Sequence, residues 1–526
     1  MAYGFTDEQL KSTKEILEEC SEIESAIIFG SRAMNTFKVA SDVDIALKGK
    51  ISLSTISALK SALEESTLPY LFDILDYKTI KEPKLKEHIV RYGKVFYVRG
   101  WEGVMLGDVC DITSSKRIFH SEYQKEGIPF YRSKEIIEKQ KGNDVSTELF
   151  ISEDKFYEIK NKFGYPKYGD LLLTSVGTLG TPYLIKKNEK FYFKDGNLTW
   201  FKSFQGLDQK YFYYWILSDL GKESLQSITI GSTQSALTIV GLKSISLNIP
   251  PLSEQKTIAE VLSSFDDKIE LLRKQNKILE STTGMLFKEW FVDFNFPNVK
   301  GKPYKLSGGK MIDSEFGEIP DKWKVFKLQD IVDTVSGYSY KGEELVEKSS
   351  KALVTLKSFD RKGGFQIRGF KPFAGFPAAS QEVTIKDLVV AHTDLTQDAE
   401  VLGNPAFIFD NSGYKKMYIT MDLVKVISKS YKVNISALYY LMKTRKFKHH
   451  CVGYANGTTV LHLSKKAIPE YEVVLPKDLN LLNEFSLIAS AVTDKISNNV
   501  VQIQALGRLR DMLLPKLMRG EVRVKL

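Results

Sequence analysis

Between Pro251 and Pro297 the chain has no proline, and apolar residues recur at alternating steps of four and three: Ile258, Leu262, Phe265, Ile269, Leu272, Leu279, Leu286 and Trp290. Asn276 and Thr283 fill the two remaining places in the series. A repeat of 3.5 residues predicts a helix that buries one narrow seam against another helix. Pro250 and Pro251 stop whatever precedes it, and Ser253 with Glu254 suits a first turn. About 40 residues rising ~1.5 Å each make a rod of roughly 60 Å, too long for the interior of one domain. About 227 residues further on, the pattern returns at Phe485, Ala489, Val492, Ile496, Asn499, Ile503, Leu506, Arg510, Leu513 and Leu517. Asp267-Lys268-Ile269 answers Asp494-Lys495-Ile496, and each seam carries one asparagine, a residue that fixes register at some cost in stability. The chain therefore holds both halves of a helix pair, although such seams also allow pairing between chains.

What precedes each seam is repeated too. WEGVMLGDVCDITSS from Trp101 is echoed by WKVFKLQDIVDTVSG from Trp323. GDLLLTSVGTLGTP (from Gly169) has a looser counterpart in IKDLVVAHTDLTQDAEVLGNP (from Ile385), and YFYYWILSDL (from Tyr211) pairs with ALYYLMKTRKF (from Ala437). GSTQSALTIVGLKSISLNIPP (from Gly231) pairs with NGTTVLHLSKKAIPEYEVVLP (from Asn456), and each runs directly into its long helix. The landmarks keep their order, so one unit of globular domain plus helix is duplicated. Both copies read as short β-branched and aromatic strands with Gly and Asn turns and a short helix.

Composition narrows the class. The 526 residues allow three or four domains, and 74 Lys and Arg against 65 Asp and Glu give a formal charge of +9, which permits a polyanionic partner. Cys20, Cys110 and Cys451 lie far apart and suggest neither disulfides nor a metal cluster. The polar N-terminus and the absence of any run of 18 apolar residues predict a soluble cytoplasmic protein with no membrane association.

The front of the chain carries separate chemistry. A helical run (Asp7 to Cys20) leads into the strand SAIIFGSRA, which ends at Gly30-Ser31; SDVDIAL follows with Asp42 and Asp44, and YLFDILDY supplies Asp73. Residues i and i+2 of a strand face the same way, so Asp42 and Asp44 point into one site. Three carboxylates from neighbouring strands suit two divalent cations and in-line phosphoryl displacement. Gly30-Ser31 would offer backbone N–H groups to nucleotide phosphates. Asp76 competes with Asp73 as the third carboxylate, but the two are three apart and cannot share a strand face, which favours Asp73. The segment resembles the minimal nucleotidyltransferase family, of polymerase-beta-like fold. That resemblance implies Asp42, Asp44 and Asp73 as catalytic, metal-holding residues, Gly30, Ser31 and Arg32 as nucleotide-binding, and Mg²⁺ and an NTP as cofactor and substrate. Many relatives have a glycine a few residues after GSRA, where this chain has Met34-Asn35-Thr36. The alternative is a retained domain that docks partners without catalysis.

The remaining 425 or so residues resemble the DNA-specificity subunit of type I restriction-modification systems. The resemblance rests on PPLSEQ entering the first helix, the linker from Phe296 to Val325 and the basic ending LLPKLMRGEV, together with the domain order. It implies an α/β and α+β multidomain chain: a nucleotidyltransferase-like domain at 1–99, target-recognition domains at 100–250 and 323–476, long helices at 251–295 and 477–526 forming an intramolecular antiparallel coiled coil, and a linker at 296–322. It also implies double-stranded DNA, two methyltransferase subunits and restriction-translocase subunits as partners. The two heads differ, so the site read should be bipartite and asymmetric, with phosphates neutralised by Lys and Arg and base edges read by polar side chains. Candidates are Arg117, Arg132, Ser232, Thr233, Gln234 and Lys243 in the first head, and Lys357, Arg361, His392, Thr393, Thr458 and Thr459 in the second; GSTQ and NGTT also read as plain scaffold turns.

Other features take ordinary readings. His449-His450-Cys451 reads as a solvated basic helix end, and Tyr211 to Trp215 as core. Lys516, Arg519, Arg523 and Lys525 read equally as a solvated tail or phosphate contacts. No Walker loop, dinucleotide fingerprint or N-P-P-[YF] motif is present, so S-adenosylmethionine and ATP would enter only through partner subunits. A scaffold without DNA recognition is disfavoured, because scaffolds do not need two divergent copies of such a head.

Overall fold

The structure is a computed structural model that describes residues 3–38, 40–142, 145, 147–231, 235–361, 364–429 and 433–524. It divides into two compact units, Met1–Asp267 with Gly507–Leu526, and Lys268–Leu506.

The first unit begins with α1 (Asp7–Glu19), β1 (Ile23–Phe29), the single turn α2 (Gly30–Ala33), β2 (Val43–Gly49), α3 (Leu53–Glu64), β3 (Phe72–Asp76), α4 (Pro83–Tyr92) and β4 (Lys94–Val98). Thr6 and Gln9 form a reciprocal capping box that starts α1. The sheet order is β3-β2-β1-β4, with β2 and β3 parallel and the other pairs antiparallel. Strand alternation divides the apolar residues between two faces. Val43, Ile45, Leu47 and Ile28 join Leu17, Leu59 and Leu63 of α1 and α3 on one face; Ile27, Phe29 and Ala46 join Ile89 of α4 on the other.

Each of the two repeated globular domains is closed by its own ends. Glu102–Met105 pairs antiparallel with Ser246–Ile249 in the first unit, and Trp323–Lys327 pairs with Glu472–Pro476 in the second. The first domain has a four-stranded sheet ordered Pro182–Leu184, Leu171–Thr174, Leu198–Lys202, Asp111–Thr113. The second repeats that order with Pro405–Phe407, Leu388–Ala391, Leu423–Ser428 and Val332–Ser336. The duplication read from the landmarks is thus a duplication of topology. The copies diverge in their other sheets: among the described residues the first domain adds a three-stranded sheet, and the second adds a four-stranded and a three-stranded one. Tyr211, Phe212, Tyr214 and Trp215 are buried, as core residues should be.

The long helices run Leu252–Phe291 and Asn480–Met518. They pair within the chain in each unit. In the first unit Ile258 and Leu262 share a core with Leu514 and Leu517; in the second Phe287, Trp290 and Phe291 pack around Phe485 and Ala489. Glu254 meets Arg523 and Asp266 meets Arg510 in the first unit, and Asn276 meets Asn499 in the second. In the first unit the partner's number falls as the first helix's rises, the mark of an antiparallel pair.

The PPLSEQ entry has a physical reason. Buried Glu254 takes both arms of the Arg523 guanidinium, at 2.6 and 2.7 Å. Buried Gln255 accepts from the Asp208 N–H and donates to the Gly206 and Pro250 carbonyls, tying the globular domain to the helix start. Arg523 is therefore a structural clamp, and Arg519 lies 3.9 Å from Asp219 and 3.7 Å from Glu521. Lys525 falls outside the described residues.

Candidate nucleotide site and nucleic-acid interface

The parallel pairing of β2 with β3 sets Asp44 directly across from Asp73. Asp44 and Ala46 alternate onto the α4 face of the sheet, and Asp73 and Leu75 do the same on β3. Burial, then the neighbouring Asp73 and Asp42 charges, hold the Asp44 carboxyl above the usual carboxylate range, while His88 and Arg32 pull it back down. Asp76 is buried and accepts the Lys78 N–H at 2.9 Å, so it shapes its own turn and leaves Asp73 as the third carboxylate.

Gly30 has φ +69°, and a Cβ there would stand 2.2 Å from the Asp44 carboxylate oxygen. Only glycine fits, because the turn is left-handed and Asp44 occupies the space a side chain would need. The Ser31 carbonyl accepts the Thr36 N–H, closing the loop after α2. Asn35 has φ +54°, a left-handed bend that asparagine adopts more readily than most side chains.

Arg32 requires a correction. It is buried, donates to the carbonyls of Tyr3, Ser41 and Asp42, and lies 4.4 Å from the Tyr70 ring centre and 5.2 Å from that of Phe37. With its donors directed at backbone carbonyls, it fastens the loop before β2 and is not presented to a nucleotide. The donor set fits a divalent cation in kind, as carboxylates on one sheet face. Yet among the described residues no group of three or more His, Cys, Asp or Glu side chains is assembled to hold a metal. Asp42 and Asp73 stand exposed, and only Asp44 is half-buried.

The expected DNA-contact residues divide. Ser232, Thr233 and Gln234 lie outside the described residues. Lys243, Lys357, Thr458 and Thr459 are exposed. Arg117 pairs with Asp195 at 2.9 Å, Arg132 with Glu135 at 2.8 Å and Arg361 with Glu400 at 3.6 Å. Arg132 also shares Glu135 with its own backbone N–H, which makes it part of a helix start. Thr393 is corrected outright: it is buried, paired across the sheet with His462, and cannot reach a base edge. His392 is half-buried, and burial, reinforced by His462 and Lys465, lowers its pKa. Gly457 in NGTT has φ +116°, and a Cβ there would meet the Val460 carbonyl at 2.1 Å, so that segment is a tight scaffold turn carrying exposed threonines.

Sequence reading missed two clasps between globular domain and helix. Tyr214 donates to Asp266 at 2.6 Å, and the same carboxylate receives Arg510. In the second unit Tyr439 donates to Glu280, which also binds Lys443 at 2.6 Å. The paired Tyr-Tyr of YFYYWI and ALYYLM was the available signal.

Residues 98–281 match the Type I restriction modification DNA specificity domain, and residues 11–100 match the Polymerase beta nucleotidyltransferase domain. Over most of its length the chain is similar to type I restriction specificity subunits. The MjaIX specificity subunit of Methanocaldococcus jannaschii is 28% identical over 447 residues, covering 81% of this chain and 94% of the relative. The MjaVIII specificity subunit of the same organism is 26% identical over 447 residues, covering 81% and 93%. Among solved structures, the type I restriction-modification S subunit from M. genitalium shares the fold, with 18% identity, a TM-score of 0.50, and coverage of 79% of this chain and 96% of that one. No helix among the described residues is long and apolar enough to cross a membrane.

Proposed function

We propose that this chain is the DNA-specificity component of a type I restriction-modification complex. Its two recognition domains read the two parts of an interrupted, asymmetric duplex site. The paired helices dock two methyltransferase subunits and, with them, the restriction-translocase subunits. The observation that carries the reading is the duplicated sheet order, with unlike neighbouring layers, in two domains that each feed a long helix. Repeated scaffold with divergent loops is what two different half-sites require. Methyl transfer and ATP-driven movement belong to the partner chains, with S-adenosylmethionine and ATP bound there.

The test is selection of duplexes from a random pool by the chain co-purified with its methyltransferase. A two-part, non-palindromic consensus with a constant gap supports the reading. A continuous or palindromic consensus, or none, overturns it.

A second reading concerns the front domain alone: it transfers a nucleotide to a protein or RNA hydroxyl. The pairing of Asp44 with Asp73 beside the Gly30 turn favours it. Asp42, Asp44 and Asp73 would hold Mg²⁺, which would supply charge neutralisation for the NTP phosphates when bound. Incubation with labelled NTP and Mg²⁺ or Mn²⁺ tests it: label lost in Asp44→Asn supports transfer, and absence of any labelled product leaves a docking module.

A further inference from the structure

The flank of α4 beside its core-facing residues carries a row of cations that neither reading uses. Leu85 and Ile89 point into the core. Lys84, His88 and Arg91 follow at spacings of four and three, so they lie on one stripe of the helix. Lys81 precedes that stripe, and Lys81, Lys84 and Arg91 are all exposed. Among the described residues none of these three has an acidic partner in an ion pair, although Glu82 and Glu87 lie on the same segment. Tyr92 stands at its end, exposed, with its ring 5.1 Å from that of His88 and 5.3 Å from the Arg91 guanidinium. The helix that carries the stripe packs on the sheet face that Ala46 and Leu75 share with Asp44 and Asp73, so the row of cations lies on the same side as those carboxylates.

Unpaired cations at regular spacing beside an exposed aromatic ring are the elements of a single-strand nucleic-acid surface: phosphates track the charges and a base stacks on the ring. We propose that the front domain binds a single-stranded nucleic acid along Lys81, Lys84, His88 and Arg91, with a base on Tyr92, so that the strand passes the Asp44 carboxylate. This goes beyond duplex recognition by the two heads and does not require that the domain transfer nucleotides.

The experiment is fluorescence anisotropy of the full chain with labelled single strands of about 12 nucleotides, in RNA and DNA versions, across a salt series. Each phosphate contact contributes about 0.7 to the slope of log affinity against log salt for single strands. The variant Lys81→Gln/Lys84→Gln/Arg91→Gln is expected to lower that slope by about 2 and to weaken binding at least tenfold at low salt. Tyr92→Ala is expected to weaken binding with the slope unchanged, and the three lysine and arginine positions are exposed, so the fold should hold. The assay contains no NTP and no divalent metal, which separates this surface from any failure of the transfer reading. Binding of either version, RNA or DNA, with these effects supports the proposal. An unaltered slope in the triple variant, as expected if the stripe instead faces an acidic protein, overturns it, as does absence of single-strand binding by the parent chain.

Discussion

The Asn499 side-chain amide donates a 2.7 Å hydrogen bond to the Asn276 amide oxygen across the helix seam, from 223 positions away in sequence. Asn499 is fully buried, and its own amide oxygen has no partner. A polar pair in an apolar seam costs least when the two asparagines face each other, so a slipped register leaves the buried Asn499 amide unmatched. The contact explains why both seams carry the same interruption.

Replacing one member should therefore hurt and replacing both should help. Asn499→Leu alone is expected to cost about 1–3 kcal/mol, because the Asn276 amide loses its partner in a seam. Asn276→Leu/Asn499→Leu should raise the urea midpoint above that of the parent chain while relaxing register. A double variant less stable than either single one would contradict this.

The front domain should be stabilised by damaging its own site. Asp44 has a raised pKa in the fold, so above the ordinary carboxylate pKa of 3.8 the folded state binds more protons than the unfolded one, and stability falls as pH rises through that window. At neutral pH the ionised carboxylate is a net cost. Asp44→Asn should raise the melting temperature of the front domain at pH 7 and remove the difference at pH 3, which scanning calorimetry at the two pH values will show.

His392 gives the opposite slope. Its pKa is lowered by burial, so below the ordinary value of 6.5 the unfolded state takes up the proton first, and stability is lost as pH falls from 6.5 toward the folded pKa. His392→Gln should flatten the pH dependence of the second unit's melting between about pH 5 and 7, the range in which histidine titrates.

Gly30→Ala combines a left-handed φ with a clash against the Asp44 carboxylate. Backbone strain alone should cost about 1–2 kcal/mol. The carboxylate must also move, so any metal- or nucleotide-dependent thermal shift should be lost along with that stability.

Much of this arrangement is written in periodicity. The seam residues from Ile258 to Trp290 and their counterparts from Phe485 to Leu517 repeat with a helical period, and the heads repeat landmarks in order, so helix pair and duplication are legible. Strand alternation likewise places Asp44 and Asp73 on one face. The destinations of long polar side chains are not legible, because they depend on contacts distant in sequence. Arg32 reads as a phosphate ligand until three carbonyls are found around it; Arg117, Arg132 and Arg361 read as free cations until Asp195, Glu135 and Glu400 come beside them; Thr393 reads as a loop residue until its strand pairs with His462. The Lys84–His88–Arg91 stripe was readable from spacing alone, but the packing of its helix on the sheet face that carries Asp44 was not.

The central claim is that two unlike heads on one chain read two half-sites at one set separation. The most direct measurement is the affinity of the chain, co-purified with its methyltransferase, for its selected duplex and for duplexes whose gap is one or two base pairs longer or shorter. Rotation of one half-site by about 34° per added base pair should carry it out of reach, so affinity should fall toward the nonspecific level at every gap but one. Equal affinity across gap lengths, or full affinity for a single half-site, would contradict the account.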